Sequence, residues 1–416
     1  MKKFKKVLSA VLAATMVMAL SACGSATETE TASASEVTGT EAAQTASSDV
    51  KVGFIFLHDE NSTYDLNFIN GATQACEAAG VEYMLKTNIP EGQECYEAAC
   101  ELADAGCDIV FADSFGHEDY MIEAAKEYPE VQFCHATGTK AHTEGLSNYH
   151  NAFATIYEGR YLAGIAAGMK LNEMIANGEI TEDQAKIGYV GAYTYAEVIS
   201  GYTSFFLGAR SVCPSTTMEV TFTGSWYDET AEKEGANKLI EDGCVLLSQH
   251  ADSMGAPTAC EKAGVPDVSY NGSTASACPN TFIVSSRIDW TPYFAYIIDA
   301  VANGTEIATD WVGTLETGSV VLTDLGNAAA EGTAEAIAEA EKAMNAGTLH
   351  VFDTTTFTVN GETLTSYMAD VDTDAEYTAD TEVITDGYFA ESGSEFRAAP
   401  YFDLQIDGIS LLDTAY

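Results

Sequence analysis

The residues best suited to chemistry are aromatic and hydrogen-bonding side chains that follow the ends of predicted strands. They occur in both halves of the chain, at positions that a cleft between two sheets would bring together. In chain order, they are Asp59, Asn61, Tyr64, Asp65, Phe68, Ser114, Phe115, Tyr193, Trp226, Asp252, Asn271 and Trp290. Aromatic rings stack on flat heterocycles, and carboxylates accept hydrogen bonds from hydroxyl and ring N–H groups. The set is therefore compatible with a site for a neutral heterocyclic molecule, but these residue types do not by themselves specify that ligand.

Several of these residues also have a purely structural interpretation. Phe68 and Trp290 stand near predicted helix starts, where an aromatic ring often belongs to the core. Asp59 and Asp65 could cap a helix or lie in a solvated loop, and Asp252 could satisfy free helix N–H groups. The position of Asp252 after a strand favours the cleft.

Catalytic and metal-binding motifs are absent from the sequence. It contains no G-x-S-x-G run, no phosphate loop ending in G-K-[ST], no G-x-G-x-x-G and no H-E-x-x-H. His117, His135 and His250 lack the spacing of metal ligands, so we interpret them as structural. The acidic run at 370–374 imitates the start of a calcium loop, but it lacks the turn glycine and the final glutamate, which favours a solvated loop. We expect no enzymatic activity, no metal and no other cofactor.

The stretch 107–138 indicates how the candidate residues are positioned. Residues 108–112 form an apolar run typical of a buried strand, and 118–128 carry apolar side chains at helical spacing. Pro129 ends that helix, and 131–135 is the next strand. Strand, helix and strand in this order predict a parallel sheet, with the loop 113–117 at its ligand-binding edge.

The same rhythm occurs in two halves of the chain and predicts the fold class. Residues 50–135 and 186–270 each alternate short apolar runs with amphipathic helices. We therefore expect an α/β protein with two doubly wound lobes joined by a hinge. The predicted first lobe comprises 50–150 and 285–325, and the second comprises 151–284 and 326–416. Residues 281–287 are expected to form a strand that returns to the first lobe, and 58–68 a polar loop.

The N-terminal residues predict export. A basic start and the short apolar run 7–20 are typical of a signal peptide, which we assign to residues 1–22. The sequence Leu-Ser-Ala-Cys at 20–23 resembles a bacterial lipobox, which implies lipidation of Cys23 and membrane attachment on the extracytoplasmic face. The alternative is an ordinary signal with a chance cysteine. Residues 23–49 have no apolar period and predict a disordered acidic tether.

The charge and the cysteines exclude some partners and motifs. The chain carries 63 acidic and 18 basic residues, a formal net charge of −45, which argues against a nucleic-acid partner. This charge suits a neutral or cationic ligand, although it could serve only solubility. Nine of the ten cysteines lie beyond Cys23 without a C-x-x-C pair, so we expect buried thiols, with one or two disulfides possible.

Several runs together resemble the basic membrane protein (BMP) family of substrate-binding lipoproteins. They share the family's order and spacing over residues 50–412. They are ADSFG and HATG within 112–138, YEGRYLAG at 157–164, IGYV at 187–190, EVI at 197–199, GARSV at 208–212, GSWYD at 224–228, QHADS at 249–253, WTPY at 290–293 and APYFD at 399–403.

The resemblance implies a function and a fold. It implies the type I periplasmic-binding-protein fold and a receptor that delivers a purine base or nucleoside to the permease subunits of an ABC importer. Three positions depart from the purine-binding branch. Asn61 and Ser62 replace a glycine–tryptophan pair, residues 271–273 lack an acid, and Ile288 replaces a tryptophan. These departures keep open a sensor or surface-interaction lipoprotein that binds another small solute. An exported hydrolase is a third alternative, which the missing motifs disfavour.

Overall fold

The computed structural model describes residues 49–372, 380–391 and 397–413. The predicted signal peptide, Cys23 and nearly all of the predicted tether lie outside the described residues, as does Asp374. No helix of the described residues is long and apolar enough to cross a membrane.

Strands and helices alternate from the start of the described chain. The first elements are β1 (Lys51–Ile55), α1 (Thr63–Ala79), β2 (Glu82–Lys86), α2 (Gln93–Asp104), β3 (Ile109–Ala112), α3 (Glu118–Glu127), β4 (Gln132–Ala136), α4 (Ala141–Glu144) and β5 (Tyr149–Ala154). A short 3-10 helix, Phe115–His117, precedes α3. The β–α–β unit predicted around 107–138 is confirmed.

The rest of the chain continues the pattern and ends in short strands. The elements are α5 (Ile156–Ala176), β6 (Lys186–Gly191), α6 (Ala196–Val212), β7 (Thr217–Phe222), α7 (Glu229–Glu241), β8 (Leu246–His250), α8 (Gly255–Ala263), β9 (Asp267–Tyr270), β10 (Phe282–Ile288), α9 (Thr291–Asn303), β11 (Asp310–Gly313), β12 (Val320–Leu322), α10 (Thr333–Asn345), β13 (Met368–Ala369), β14 (Thr381–Glu382), β15 (Ile384–Thr385), β16 (Tyr388–Phe389) and β17 (Ile409–Leu411). Another 3-10 helix spans Glu182–Gln184.

Two large sheets organise these elements. The first has the strand order β11-β5-β4-β3-β1-β2, and its pairs are parallel. The second has the order β12-β10-β9-β8-β6-β7-β17, in which only β12 runs antiparallel to its neighbour. We refer to each sheet with its helices as the first and the second lobe. The predicted α/β class with two parallel sheets is confirmed.

The predicted course between the lobes needs one correction. The strand expected to return to the first lobe, β10, pairs in parallel with β9 in the second sheet. The chain crosses only after Ile288, enters the first sheet as β11 and comes back as β12. An apolar run in the sequence indicates that a strand is buried on both faces, but it does not indicate which of two sheets the strand joins.

Helix α1 begins at Thr63, so the predicted polar loop 58–68 is too long. The Ser62 hydroxyl accepts a hydrogen bond from the Asp65 backbone N–H (3.2 Å) and donates one to the Asp65 carboxylate (2.6 Å). This mutual cap satisfies groups that an uncapped helix start leaves free. Tyr64, Asp65 and Phe68 therefore project from a helix.

Glycines allow α5 and α6 to pack at close range. A Cβ atom on Gly164 would lie 2.0 Å from the Phe205 carbonyl oxygen, and one on Gly208 would lie 2.0 Å from the Tyr161 carbonyl oxygen. The backbones of α5 and α6 therefore approach each other directly at these two glycines. The nine cysteines of the described residues are free thiols, and all but Cys100 are buried.

Candidate ligand-binding cleft

A cavity of about 370 Å³ lies where the carboxyl ends of strands from the two sheets face each other. Its walls come from both lobes. The lining residues are Leu57, His58, Tyr64, Ser114, Phe115, Thr137, Glu197, Trp226, His250, Asp252 and Tyr270. A molecule bound in this cavity would therefore touch both lobes.

Aromatic rings form much of the wall. Trp226 packs edge-on against Tyr193 (centroids 5.0 Å apart, 67° between planes), and Tyr193 stacks on Tyr195 at 4.9 Å. Phe115 of the first lobe meets Tyr195 of the second at 5.3 Å. The Tyr64 hydroxyl donates to the Asp113 carbonyl oxygen (2.7 Å), which leaves its ring for the cavity. Of these rings, Tyr64, Phe115 and Trp226 line the cavity and offer faces for stacking.

Two acidic residues supply the polar wall of the second lobe. The Asp252 carboxyl is buried and accepts a hydrogen bond from the Asn271 side-chain amide (3.3 Å). Burial, reinforced by the Asp65, Glu232 and Glu197 carboxylates, raises the pKa of Asp252 well above its usual range. Protonated Asp252 can donate as well as accept a hydrogen bond.

Glu197 lies beside a buried histidine. Its Oε1 is 3.5 Å from Nε2 of His250. Burial lowers the pKa of His250 although the Glu197 carboxylate opposes that shift, so we expect a neutral imidazole at pH 7. Among the described residues, the lining of this cavity includes no lysine or arginine. The polar wall thus suits a ligand that carries hydrogen-bond donors.

Two further buried carboxyl groups, those of Asp65 and Asp113, accept hydrogen bonds from the loop between β1 and α1. Burial raises the pKa of Asp65, but hydrogen bonds from His58 and Ser62 outweigh it and hold that pKa below its usual range. Burial, together with the nearby Asp65 carboxylate, raises the pKa of Asp113 well above its usual range. The Asp113 carboxyl accepts a hydrogen bond from the Leu57 N–H (3.1 Å). These groups position the loop that carries Leu57 and His58.

A buried arginine supports the floor of the cavity. The Arg160 guanidinium stacks over the Tyr270 ring at 4.8 Å. Its Nη2 donates hydrogen bonds to Tyr189, Ser248 and the Gln249 carbonyl (2.7, 3.1 and 3.2 Å). The side chain fixes the ends of β8 and β9, where His250 and Tyr270 face the ligand site.

The two lobes touch around the cavity. The Thr63 backbone N–H and hydroxyl both donate to the Asp252 carbonyl oxygen at 3.2 Å. The Asn67 side-chain amide donates to the Asn271 carbonyl oxygen at 2.8 Å. Helix α1 is thereby fastened to loops of the second lobe, and the cleft is closed.

The structure brings five of the twelve predicted residues to the cavity wall: Tyr64, Ser114, Phe115, Trp226 and Asp252. Three others stand behind it. Asp65 pairs with Ser62, the N-cap of α1; Tyr193 packs behind Trp226; and the Asn271 amide donates to the Asp252 carboxyl. They act on the site through their neighbours.

The remaining four predicted residues lie elsewhere. Phe68 and Trp290 are buried and stack on each other at 4.4 Å in the core of the first lobe, which corrects the expectation that they contact the ligand. Asp59 accepts hydrogen bonds from Asn61, which is exposed. Both residues belong to a surface turn.

Sequence reasoning missed six lining residues: Leu57, His58, Thr137, Glu197, His250 and Tyr270. His250 and Tyr270 are the last residues of β8 and β9, and Thr137 directly follows β4. The same strand-end rule that found Trp226 would have found these three. Among the described residues, no group of acidic, histidine or cysteine side chains is arranged to hold a metal ion.

Two α/β lobes closed around a small cavity define the class of periplasmic-binding proteins of type I. A solved solute-binding protein of an ABC transporter system from Conexibacter woesei superposes with a TM-score of 0.58 at 19% identity, covering 72% of this chain and 98% of that one. This likeness shows the fold.

The chain belongs to the Bmp family, whose model of PnrA-like ABC transporter substrate-binding proteins matches residues 56–349. Proteins of this family are extracytoplasmic and bind solutes; they are not enzymes.

Two relatives carry names that specify a ligand. A purine-binding protein of Brucella abortus is 32% identical over 265 residues, which cover 62% of this chain and 71% of that protein. A Haloferax volcanii protein, named for glucose binding in an ABC transporter, is 33% identical over 242 residues. The match covers 58% of this chain and 58% of that relative's length.

Proposed function

We propose that this chain is the lipid-anchored receptor of an ABC importer and binds a purine base or nucleoside in the cleft cavity. One observation carries the proposal: the Phe115 and Trp226 rings and the Glu197 and Asp252 carboxyl groups line a single small cavity. A purine has flat faces for the rings, and its N–H groups match the carboxyl oxygens. The purine-binding relative supports this ligand class.

Closure of the cleft is the proposed mechanism of capture. A ligand that contacts both lobes binds the closed form better than the open form, and so shifts the population toward it. The hydrogen bonds from Thr63 to Asp252 and from Asn67 to Asn271 form only when the lobes meet. The closed receptor then docks on its permease.

The lipid anchor is proposed from the sequence Leu-Ser-Ala-Cys at 20–23. Lipidation of Cys23 would hold the receptor beside the permease. The test is metabolic labelling with a fatty acid in a bacterial host. The anchor is supported if the wild-type protein is labelled and found in the membrane fraction, while the Cys23→Ala protein is unlabelled and released from the membrane. Equal release of both proteins would refute it.

A sugar is the second candidate ligand, favoured by the glucose-binding relative. Sugar hydroxyls also pair with carboxyl groups, and sugar rings pack on aromatic faces. The lining of the cavity fits both ligand classes, so binding must decide between them.

The deciding experiment is thermal unfolding of residues 24–416, freed of bound ligand, with adenine, guanine, hypoxanthine, adenosine, inosine, guanosine and glucose. A ligand that binds only the native state raises the midpoint. A rise with a purine but not with glucose supports the proposal, whereas a rise with glucose alone replaces it with the sugar.

A further inference from the structure

The segment 397–402, which we call the C-terminal strap, is anchored in the core of the second lobe. Phe402 is fully buried and stacks on Phe352 at 4.2 Å, and Tyr401 belongs to the same apolar core. Further along the chain, β17 pairs with β7 in the second sheet. The C-terminal strap is therefore built into the second lobe.

The start of the C-terminal strap reaches the first lobe. Ala398 is fully buried in the apolar core that is formed mainly by the first lobe. Its backbone N–H donates a hydrogen bond to Oδ1 of Asp310 at 3.0 Å. Asp310 is buried at the start of β11, in the first sheet, and its Oδ2 lies 3.1 Å from Nδ1 of His142. A buried carboxylate needs such partners, and one of them comes from the C-terminal strap.

The C-terminal strap is stiffened by its own side chains. Arg397 Nε donates to the Ala399 carbonyl oxygen (3.1 Å), and its Nη2 donates to the Pro400 carbonyl oxygen. The same guanidinium lies 5.6 Å from the centre of the Tyr401 ring. Pro400 also has a fixed backbone φ. A segment that is already ordered loses little conformational entropy when it docks, which favours a firm contact.

This contact adds a non-covalent link to the crossings of the backbone between the lobes. Those crossings lie between β5 and α5, after β10, and between β11 and β12. Strand β11 forms one edge of the first sheet, whereas α1 follows β1, which lies next to the opposite edge. Helix α1 carries the other described contacts between the lobes, from Thr63 to Asp252 and from Asn67 to Asn271. The lobes are thus fastened at well-separated places.

We propose that the C-terminal strap holds the lobes together before a ligand arrives, with Ala398 and Asp310 as positioning residues. Release of Ala398 from the first lobe shifts the population toward an open cleft. The strap therefore sets the fraction of the receptor that is already closed, and the apparent affinity for a ligand of the cleft scales with that fraction. This holds for a purine and for a sugar alike.

The Thr63 backbone N–H reports closure far from the C-terminal strap. It is the first N–H of α1, and such groups have no acceptor within their own helix. It donates instead to the Asp252 carbonyl oxygen of the second lobe, at 3.2 Å. Its hydrogen exchange should therefore be slow only while the lobes are together.

The test is hydrogen exchange of ligand-free residues 24–416, measured by mass spectrometry. In the wild type, the Thr63 N–H should be protected. Asp310→Ala removes the acceptor of the Ala398 N–H and should speed exchange at Thr63 about tenfold, the value of one hydrogen bond to a charged group. Ala398→Glu, which places a charge in a buried site, should also speed it. Asp310→Asn keeps Oδ1 as an acceptor and should exchange at nearly the wild-type rate.

Gly164→Ala is the control for general destabilisation. It disturbs the packing of α5 on α6, and should leave exchange at Thr63 unchanged at temperatures well below unfolding. A wild-type Thr63 N–H that exchanges as fast as an unprotected amide would overturn the proposal. So would Asp310→Ala and Ala398→Glu proteins whose exchange at Thr63 matches the wild type. Because the protein carries no ligand, neither result bears on the purine proposal.

Discussion

The role of Trp226 gives the sharpest test of the cleft. Its ring lines the cavity and is backed edge-on by Tyr193 at 5.0 Å. Removal of an aromatic ring from a stacked base costs about 1–3 kcal/mol, and each 1.4 kcal/mol is a factor of about ten in affinity. Because Tyr193 remains behind the gap and can still offer a ring, we expect Trp226→Ala to raise the purine Kd about tenfold.

The assay is thermal unfolding over a range of ligand concentrations. At a ligand concentration of 1,000 times the Kd, the native state gains about 4.1 kcal/mol, and a tenfold weaker complex gains about 2.7 kcal/mol. The midpoint shift of Trp226→Ala should therefore be about two thirds of the wild-type shift. Its ligand-free midpoint should change little, since the ring is only partly buried.

Trp290 supplies a matched control. It stacks on Phe68 in the core at 4.4 Å and is absent from the cavity wall. Trp290→Phe should lower the ligand-free midpoint because it leaves a void, and should keep the ligand-dependent shift. A Trp226→Ala protein that binds as tightly as wild type would refute the stacking role.

Three further predictions concern packing, pH and closure. Gly164→Ala should lower the free energy of unfolding by about 1–3 kcal/mol in thermal or urea unfolding, because the new Cβ would lie 2.0 Å from the Phe205 carbonyl oxygen. Gly235→Ala is the control and should be tolerated, because its Cβ would lie 3.2 Å from the nearest atom, a methyl group of Thr221. Burial raises the pKa of Asp267 to about 7, so the stabilisation by its protonated form is present at about pH 4 and is lost as the pH rises to about 7. The free energy of unfolding of Asp267→Asn, measured against pH, should lack that decline. A variant with the same pH profile as wild type would refute this role of Asp267. Asn67 does not line the cleft cavity, but Asn67→Ala should raise the ligand Kd several-fold in a titration, because the closed form loses one hydrogen bond between the lobes. An unchanged Kd would contradict a role of this hydrogen bond in closure.

The fold was predictable because parallel sheets have a strong local signature. Short buried runs such as β3 and β8, separated by amphipathic helices, leave few topologies open. Sheet membership was harder to predict. The side chains of the buried strand β10 are compatible with either sheet, and only its pairing with β9 in the structure shows that it belongs to the second sheet.

The site residues that come directly after strands could be predicted from the sequence. Trp226, Ser114 and Asp252 come shortly after β7, β3 and β8, and the carboxyl ends of parallel strands meet at one edge. Phe68 and Trp290 were misjudged because the same aromatic residue types form cores and stacking walls. Glu197 could not be found this way, because it lies in the first turn of α6 and not at the end of a strand.

The last described strand, β17, has a consequence for the order of folding. It pairs with β7, Ile409 against Met218, and the Asp413 carboxylate accepts hydrogen bonds from the Thr221 hydroxyl (2.6 Å) and the Phe222 N–H (3.0 Å). Until synthesis reaches Ile409, the edge of β7 lacks this partner and remains open to pairing with other chains. A contact that spans so much sequence also forms slowly. The outer edge of β7 is therefore covered only after β17 has docked on it.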